Sequence, residues 1–155
     1  MGGYVEGVAL SSDAEHIITP SQSGPKRAIA RAYREAGIVP ADVAVIDLHA
    51  TGTPGDLNEL ALVDEFITDR TRITARKGQL GHGMANSGGW ELTAMALGLA
   101  QAVALPTGIP AKALHPKIPR PEAIVTDEAP LEGDVGVKVM LGIGGLTACV
   151  VLRRG

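Results

Sequence analysis

The chain predicts an α/β fold, a mainly parallel or mixed sheet with helices packed on it. Three observations lead there. Strand-length apolar runs alternate with helix-period segments in the order β-α-β-α-β-α-β-β. One run, VAVIDLHA at 43–50, has the short apolar character of a strand buried on both faces. A third segment, SGGWELTAMALGLAQAVAL at 87–105, is the longest helical stretch and apolar around most of its circumference, so it needs cover on its far side as well.

The elements follow in order. YVEGVALSS at 4–12 is rich in β-formers and reads as a strand. TPSQSG at 19–24 is a loop. PKRAIARAYREAG at 25–37 is a helix: Pro25 sits in its first turn, Ala28, Ile29, Ala32 and Ala36 share a face, and Gly37 supplies the stop. After the strand at 43–50, LNELALVDEFI at 57–67 is helical, offering Leu60, Leu62, Val63 and Phe66 to a core. RITAR at 72–76 is a short strand, and the long helix at 87–105 follows. The proline-rich stretch 106–132 reads as an ordered excursion. GDVGVKVMLGIGG and LTACVVLRR then close the chain as two strands joined by a glycine turn.

At 155 residues the chain suits one domain, and 45% apolar against 20% charged residues allows a real core. A net charge of −3 leaves no basic footprint for nucleic acid. No apolar run reaches the ~20 residues a membrane-crossing helix requires, and the first residues lack the pattern of a signal peptide. The single cysteine, Cys149, excludes an internal disulfide and suits a reducing cytoplasm. Lying inside an apolar strand, it reads as structural. No histidine pairing at metal-ligand spacing occurs, so no metal is expected.

Candidate chemistry gathers at three strand ends, where open α/β sheets place their sites: HATGTPGD (49–56), KGQLGH (77–82) and LGIGGLT (141–147). Alone, each has a plain reading. His49 fits a hydrogen-bonded core histidine, Thr51 and Thr53 fit turn formers, and Lys77 fits a solvated lysine. The glycines at 142–145 fit a hairpin; they lack the lysine and the spacing of a phosphate loop. His16 and His115 read as surface residues.

Taken together the three stretches resemble a family. HATGTPGDLNE resembles the HGTxTPxGDxxE segment of β-ketoacyl-acyl carrier protein synthases. KGQLGHGMANSGG resembles their KxxxGHxxGAAG segment, with the Lys-to-His spacing kept, and LGIGGLTACVVLRR resembles their closing FGFGGxNAxxVLxR segment. The motifs occur in the family's order, and the likeness runs the length of the chain. It implies a thiolase-like fold, of which residues 1–155 are one C-terminal βαβαβ half, completed by a second half from a partner chain that bears the nucleophilic cysteine. It implies decarboxylative Claisen condensation of malonyl-acyl carrier protein with an acyl thioester on that cysteine. His49 and His82 match the two imidazoles that stabilise the enolate, the elongating His-His type. Lys77 matches the lysine that orients the first histidine, and Glu59 the carboxylate paired with that lysine. Thr51 and Thr53 match the hydroxyls that hold the pantetheine arm. Gly144 and Gly145 match the turn at the cysteine site, and Ile143 stands where the family has a gating phenylalanine.

The implied assembly is a hetero-oligomer with an acyl carrier protein as its second partner. No cofactor is implied beyond the phosphopantetheine that the carrier brings. Departures from the family pattern are one residue fewer between Pro54 and Asp56, ANSG at 85–88, Ile143 and Thr147. The competing reading is a non-catalytic companion subunit of the chain-length-factor kind, which shapes the pocket and does no chemistry.

Overall fold

A computed structural model describes residues 3–14 and 21–155; His16 lies outside the described residues. The main sheet has five strands in the order β1-β7-β6-β2-β3. They are β1 (Gly3–Ser12), β2 (Val43–Leu48), β3 (Arg72–Ala75), β6 (Val135–Gly142) and β7 (Leu146–Arg154). β2 runs parallel to both β3 and β6, whereas β7 is antiparallel to β6 and to β1, so the sheet is mixed as expected. A small second sheet joins β4 (Val103–Ala104) to β5 (Ala129–Pro130).

Helix α1 (Ser23–Ala36) lies on one face because its small residues allow it to approach closely. Ala28, Ile29 and Ala32 are wholly buried there. A Cβ at Gly7 of β1 would stand 2.4 Å from the Ala32 carbonyl oxygen, so strand and helix meet backbone to backbone at that glycine. Gly37 ends the helix in the left-handed conformation (φ 66°), its N–H donating to the carbonyls of Arg34 and Tyr33. Helix α2 (Gly55–Val63) contributes Leu60, Leu62 and Val63 to the same core.

The opposite face carries α4 (Ser87–Gln101). It ends four residues short of the expected 105, where Ala102 turns left-handed (φ 57°) and the chain enters β4. The expectation of a wholly buried helix needs correction for this chain. Ser87, Glu91, Met95, Gly98 and Leu99 form the buried stripe, while Trp90 and Leu97 on its outer side are 46% and 55% exposed. β1 likewise leaves Tyr4, Val8 and Leu10 open. The excursion 106–132 is ordered against the β3 edge. Thr107 N–H donates to the Val125 carbonyl (2.8 Å), and Val125 N–H to the Ile73 carbonyl (2.9 Å).

Candidate active site

β2 stops at Leu48, two residues earlier than expected, and that early stop creates the site. From His49 onward the backbone amides have no strand partner. Two carboxylates in the first turns of α2, three residues apart and hence on one helix face, take them instead. Glu59 accepts from the N–H groups of His49 (2.7 Å) and Ala50 (2.9 Å). Asp56 accepts from those of Thr51 (3.0 Å) and Gly52 (2.9 Å). Four successive amides are thereby satisfied, and the loop carrying His49 is fixed to the helix behind it. Burial lifts the Glu59 carboxyl to about 6, against the opposing pull of those two amides.

Lys77 opens a single helical turn, α3 (Lys77–Leu80), directly after β3. It is not a solvated lysine, being only 9% exposed. Its ammonium donates to the His49 carbonyl (2.5 Å) and to Glu91 Oε1 (2.6 Å). The expected pairing of Lys77 with Glu59 is thus corrected: Glu91 of α4 is the lysine's carboxylate, and Glu59 is committed to backbone amides. Ser87, one turn earlier on α4, also donates to Glu91 Oε1 (3.1 Å).

His49 and His82 come together. Their ring centroids are 5.5 Å apart and edge-on at 81°. His49 is held to about 4, first by burial and then by the cations of Lys77 and Lys138, so its imidazole is neutral at physiological pH. His82, exposed on the 81–83 loop, accepts the Met84 N–H at Nδ1 (3.2 Å), which leaves the ring proton on Nε2. Both rings line a cleft of about 860 Å³ whose walls include Thr51, Thr53, Leu10, Met140 and Ile143. The threonine hydroxyls lie 3.2 Å from each other at its edge, and Ile143 is 72% exposed at the hairpin tip. Gly144 and Gly145 form the hairpin turn itself, with φ of 85° and 75°, and are not among the residues lining the cleft. Cys149 is buried in β7 and its thiol is pushed up to about 12 by burial, so it does not serve as a thiolate. His115 is exposed.

Beneath His49 lies a buried ionic cluster that the motifs alone do not reveal. Asp47, wholly buried in β2, takes Lys138 on Oδ1 (2.7 Å) and Thr74 (2.7 Å) and Arg76 (3.1 Å) on Oδ2. A sequence signal exists: an aspartate interrupts one apolar strand and a lysine interrupts another, and the sheet register places them side by side.

These features define the class first: a thiolase-like α/β half with paired histidines on the segments that follow two of its strands. The chain belongs to the β-ketoacyl synthase family, whose C-terminal domain model matches residues 3–108. It is 31% identical over 160 residues to 3-oxoacyl-[acyl-carrier-protein] synthase 2 of Staphylococcus aureus (strain COL), covering 97% of this chain and 37% of that protein. The protein of the same name from Rhizobium meliloti (strain 1021) is also 31% identical, over 97% of this chain and 36% of its own length. The chain therefore spans well under half of these relatives. Among solved structures it is similar to the ketosynthase ApeO in complex with its chain length factor ApeC from Xenorhabdus doucetiae. That match has a TM-score of 0.90 and 26% identity, over all of this chain and 40% of the other. The ishigamide ketosynthase/chain length factor gives 0.87 and 27%, over 97% and 38%. Among the described residues no helix is long and apolar enough to cross a membrane.

Proposed function

We propose that the 155 residues act as one unit that supplies the decarboxylating side of a ketosynthase site, with the acylated cysteine brought by a completing half outside these residues. The carrying observation is the pair of imidazoles at 5.5 Å on the wall of one cleft, the first held neutral and the second with its Nδ1 already occupied. In this reading malonyl arrives as a thioester on the phosphopantetheine arm of an acyl carrier protein, with Thr51 and Thr53 at the arm. The bond to the carboxylate breaks, carbon dioxide leaves, and the electron pair moves onto the thioester oxygen as an enolate. The ring N–H groups of His49 and His82 donate to that oxygen; one such donor contributes ~3–4 kcal/mol to a transition state. The enolate carbon then attacks the acyl thioester on the cysteine, and the thiolate leaves. Ile143 at the cleft's rim supports a part in gating the acyl pocket, with Gly144 and Gly145 shaping the turn at the cysteine site. Lys77, Glu59 and Glu91 act by fixing His49. The lone buried thiol suits a reducing, cytoplasmic setting.

The test is malonyl-carrier decarboxylation by the assembled protein. His49→Ala and His82→Ala should each reduce it by ~10²–10³-fold. Wild-type turnover in both would refute the assigned roles and transfer the chain to the non-catalytic companion reading. Expressed alone, the chain should self-associate through Tyr4, Leu10, Trp90 and Leu97. A monodisperse, cooperatively folding monomer would count against a completing half.

A further inference from the structure

Resting on that reading, we propose that Lys138 is a positioning residue for His49: its wholly buried ammonium ties the end of β2, just before His49, to α4, whose Glu91 also pairs with Lys77. Its place is unusual for a lysine. It sits in mid-β6 among Val135, Val137 and Val139, has no exposed surface, and is the largest of the fully buried side chains. Lysines are almost never found so deeply buried unless paired. Its Nζ donates hydrogen bonds to two acceptors and forms an ion pair with a third oxygen. They are Asp47 Oδ1 at 2.7 Å, the Leu48 carbonyl at 2.9 Å, and Glu91 Oε2 at 2.7 Å.

Those three partners are not scattered. Asp47 and Leu48 are the last two residues of β2, immediately before His49. Glu91 is the carboxylate whose other oxygen takes Lys77, and Lys77 takes the His49 carbonyl. Two buried ammoniums therefore hold successive carbonyls, Leu48 by Lys138 and His49 by Lys77, and one carboxylate of α4 bridges them. From the other side, Glu59 holds the His49 and Ala50 amides. The backbone on both flanks of the imidazole is pinned by charge, so its ring has a fixed base from which to point. Arg76 completes the cluster by pairing Asp47 and donating to the carbonyls of Leu105 (2.7 Å) and Pro106 (2.9 Å). At His49 itself burial, then Lys77 and Lys138 against the opposing Glu91, favour a neutral ring. A buried ion pair is weak evidence for stability, because well-packed apolar residues commonly do as well. The orientation of the strand end is what this arrangement adds.

The experiment uses the assembled protein with isotope-labelled histidine, the His49 signal being assigned by its loss in His49→Gln. Lys138→Met removes the ammonium and leaves Asp47 Oδ1 without its partner, while Oδ2 keeps Thr74 and Arg76. The double variant Lys138→Met/Asp47→Asn removes both charges and preserves folding if the single variant fails. Both should lower kcat for malonyl decarboxylation by about tenfold or more, with KM within about twofold, as expected for a misplaced catalytic group. The His49 titration should move upward by roughly one pH unit in Lys138→Met, on loss of a neighbouring cation, and upward by less in the double variant, where a more distant anion is lost as well. A folded double variant with unchanged kcat and an unmoved His49 signal would overturn the role. So would a kcat loss that accompanies melting of the assembly without any movement of that signal, since Lys138 would then be structural only. If the wild-type assembly fails to decarboxylate, the proposed function falls, while the His49 titration still decides what Lys138 does.

Discussion

The two faces of the sheet solve opposite problems. On the α1 and α2 face the contacts are apolar: Ile29, Val63, Val137, Val139 and Val151 are buried together and need no partner but one another. On the α4 face a smaller apolar cluster, with Val45, Met95, Leu99 and Leu131, gives way at the strand ends to a buried ionic one of Asp47, Lys138, Glu91 and Lys77, and its outer rim of Trp90, Leu97 and Leu10 is apolar yet open. Both faces carry an apolar core, but only the α4 face adds buried charge, and it adds it where the strand leading to His49 ends. Burying charge in this manner gains little net stability, so its place at the strand end argues for precision at His49.

Breaking the comparison at its strongest point means Asp47→Ala, which leaves Arg76 buried without its carboxylate and Lys138 with Glu91 alone. We expect about 3–5 kcal/mol lost in urea unfolding of the assembly, with decarboxylation falling in parallel. Next comes Ile29→Ala on the apolar face, expected to cost about 2–5 kcal/mol in the same assay. Unlike the first variant, it should leave the His49 titration in place; movement of that signal would show that the faces are not separable. Glu59→Gln sets an amide N–H against a backbone N–H and should cost about 1–3 kcal/mol. Because Glu59 titrates at about 6, wild-type decarboxylation should fall as pH drops through that value, well before His49 charges at about 4, and the variant should lack this limb. The smallest effect belongs to the open rim. Leu97→Ser should change the domain's unfolding free energy by no more than about 0.5 kcal/mol, and yet weaken binding of the completing half in titration calorimetry.

The same two groups pull stability in opposite directions with pH. His49 is depressed from 6.5 to about 4, so its unfolded form binds the extra proton and stability falls as pH drops through that window. Glu59 is raised from 4.5 to about 6, so its contribution falls as pH rises through that narrower range. The wider His49 window sets the net sign, a loss on acidification.

Much of the apolar face was legible in the sequence because periodicity records burial directly. The Ala28, Ile29, Ala32 stripe and the Gly37 stop both appear where the pattern places them. The α4 face was legible in its motifs and not in its wiring. His49 and His82 meet as their strand-end positions imply, but the carboxylate for Lys77 proved to be Glu91 and not Glu59. Both glutamates lie on helices that pack at the site, and spacing alone cannot say which one reaches the ammonium and which one takes the amides of a strand that stops early. Lys138 escaped for a related reason: within a single apolar run it looks like an interruption, and its meaning depends on Asp47, 91 residues earlier in the chain.

The outer wall of the cleft is made by residues from opposite ends of the chain. Gly3 stands beside Arg154, Leu10 beside Ala148, and Ser12 beside Leu146, so β1 and β7 zip together across nearly the whole of the sequence. Pairings of such span form slowly, since a long loop must close before any contact rewards it. The cleft wall that β1 and β7 share is therefore complete only once both strands and everything between them have been made, so it is among the later parts of this fold to take shape.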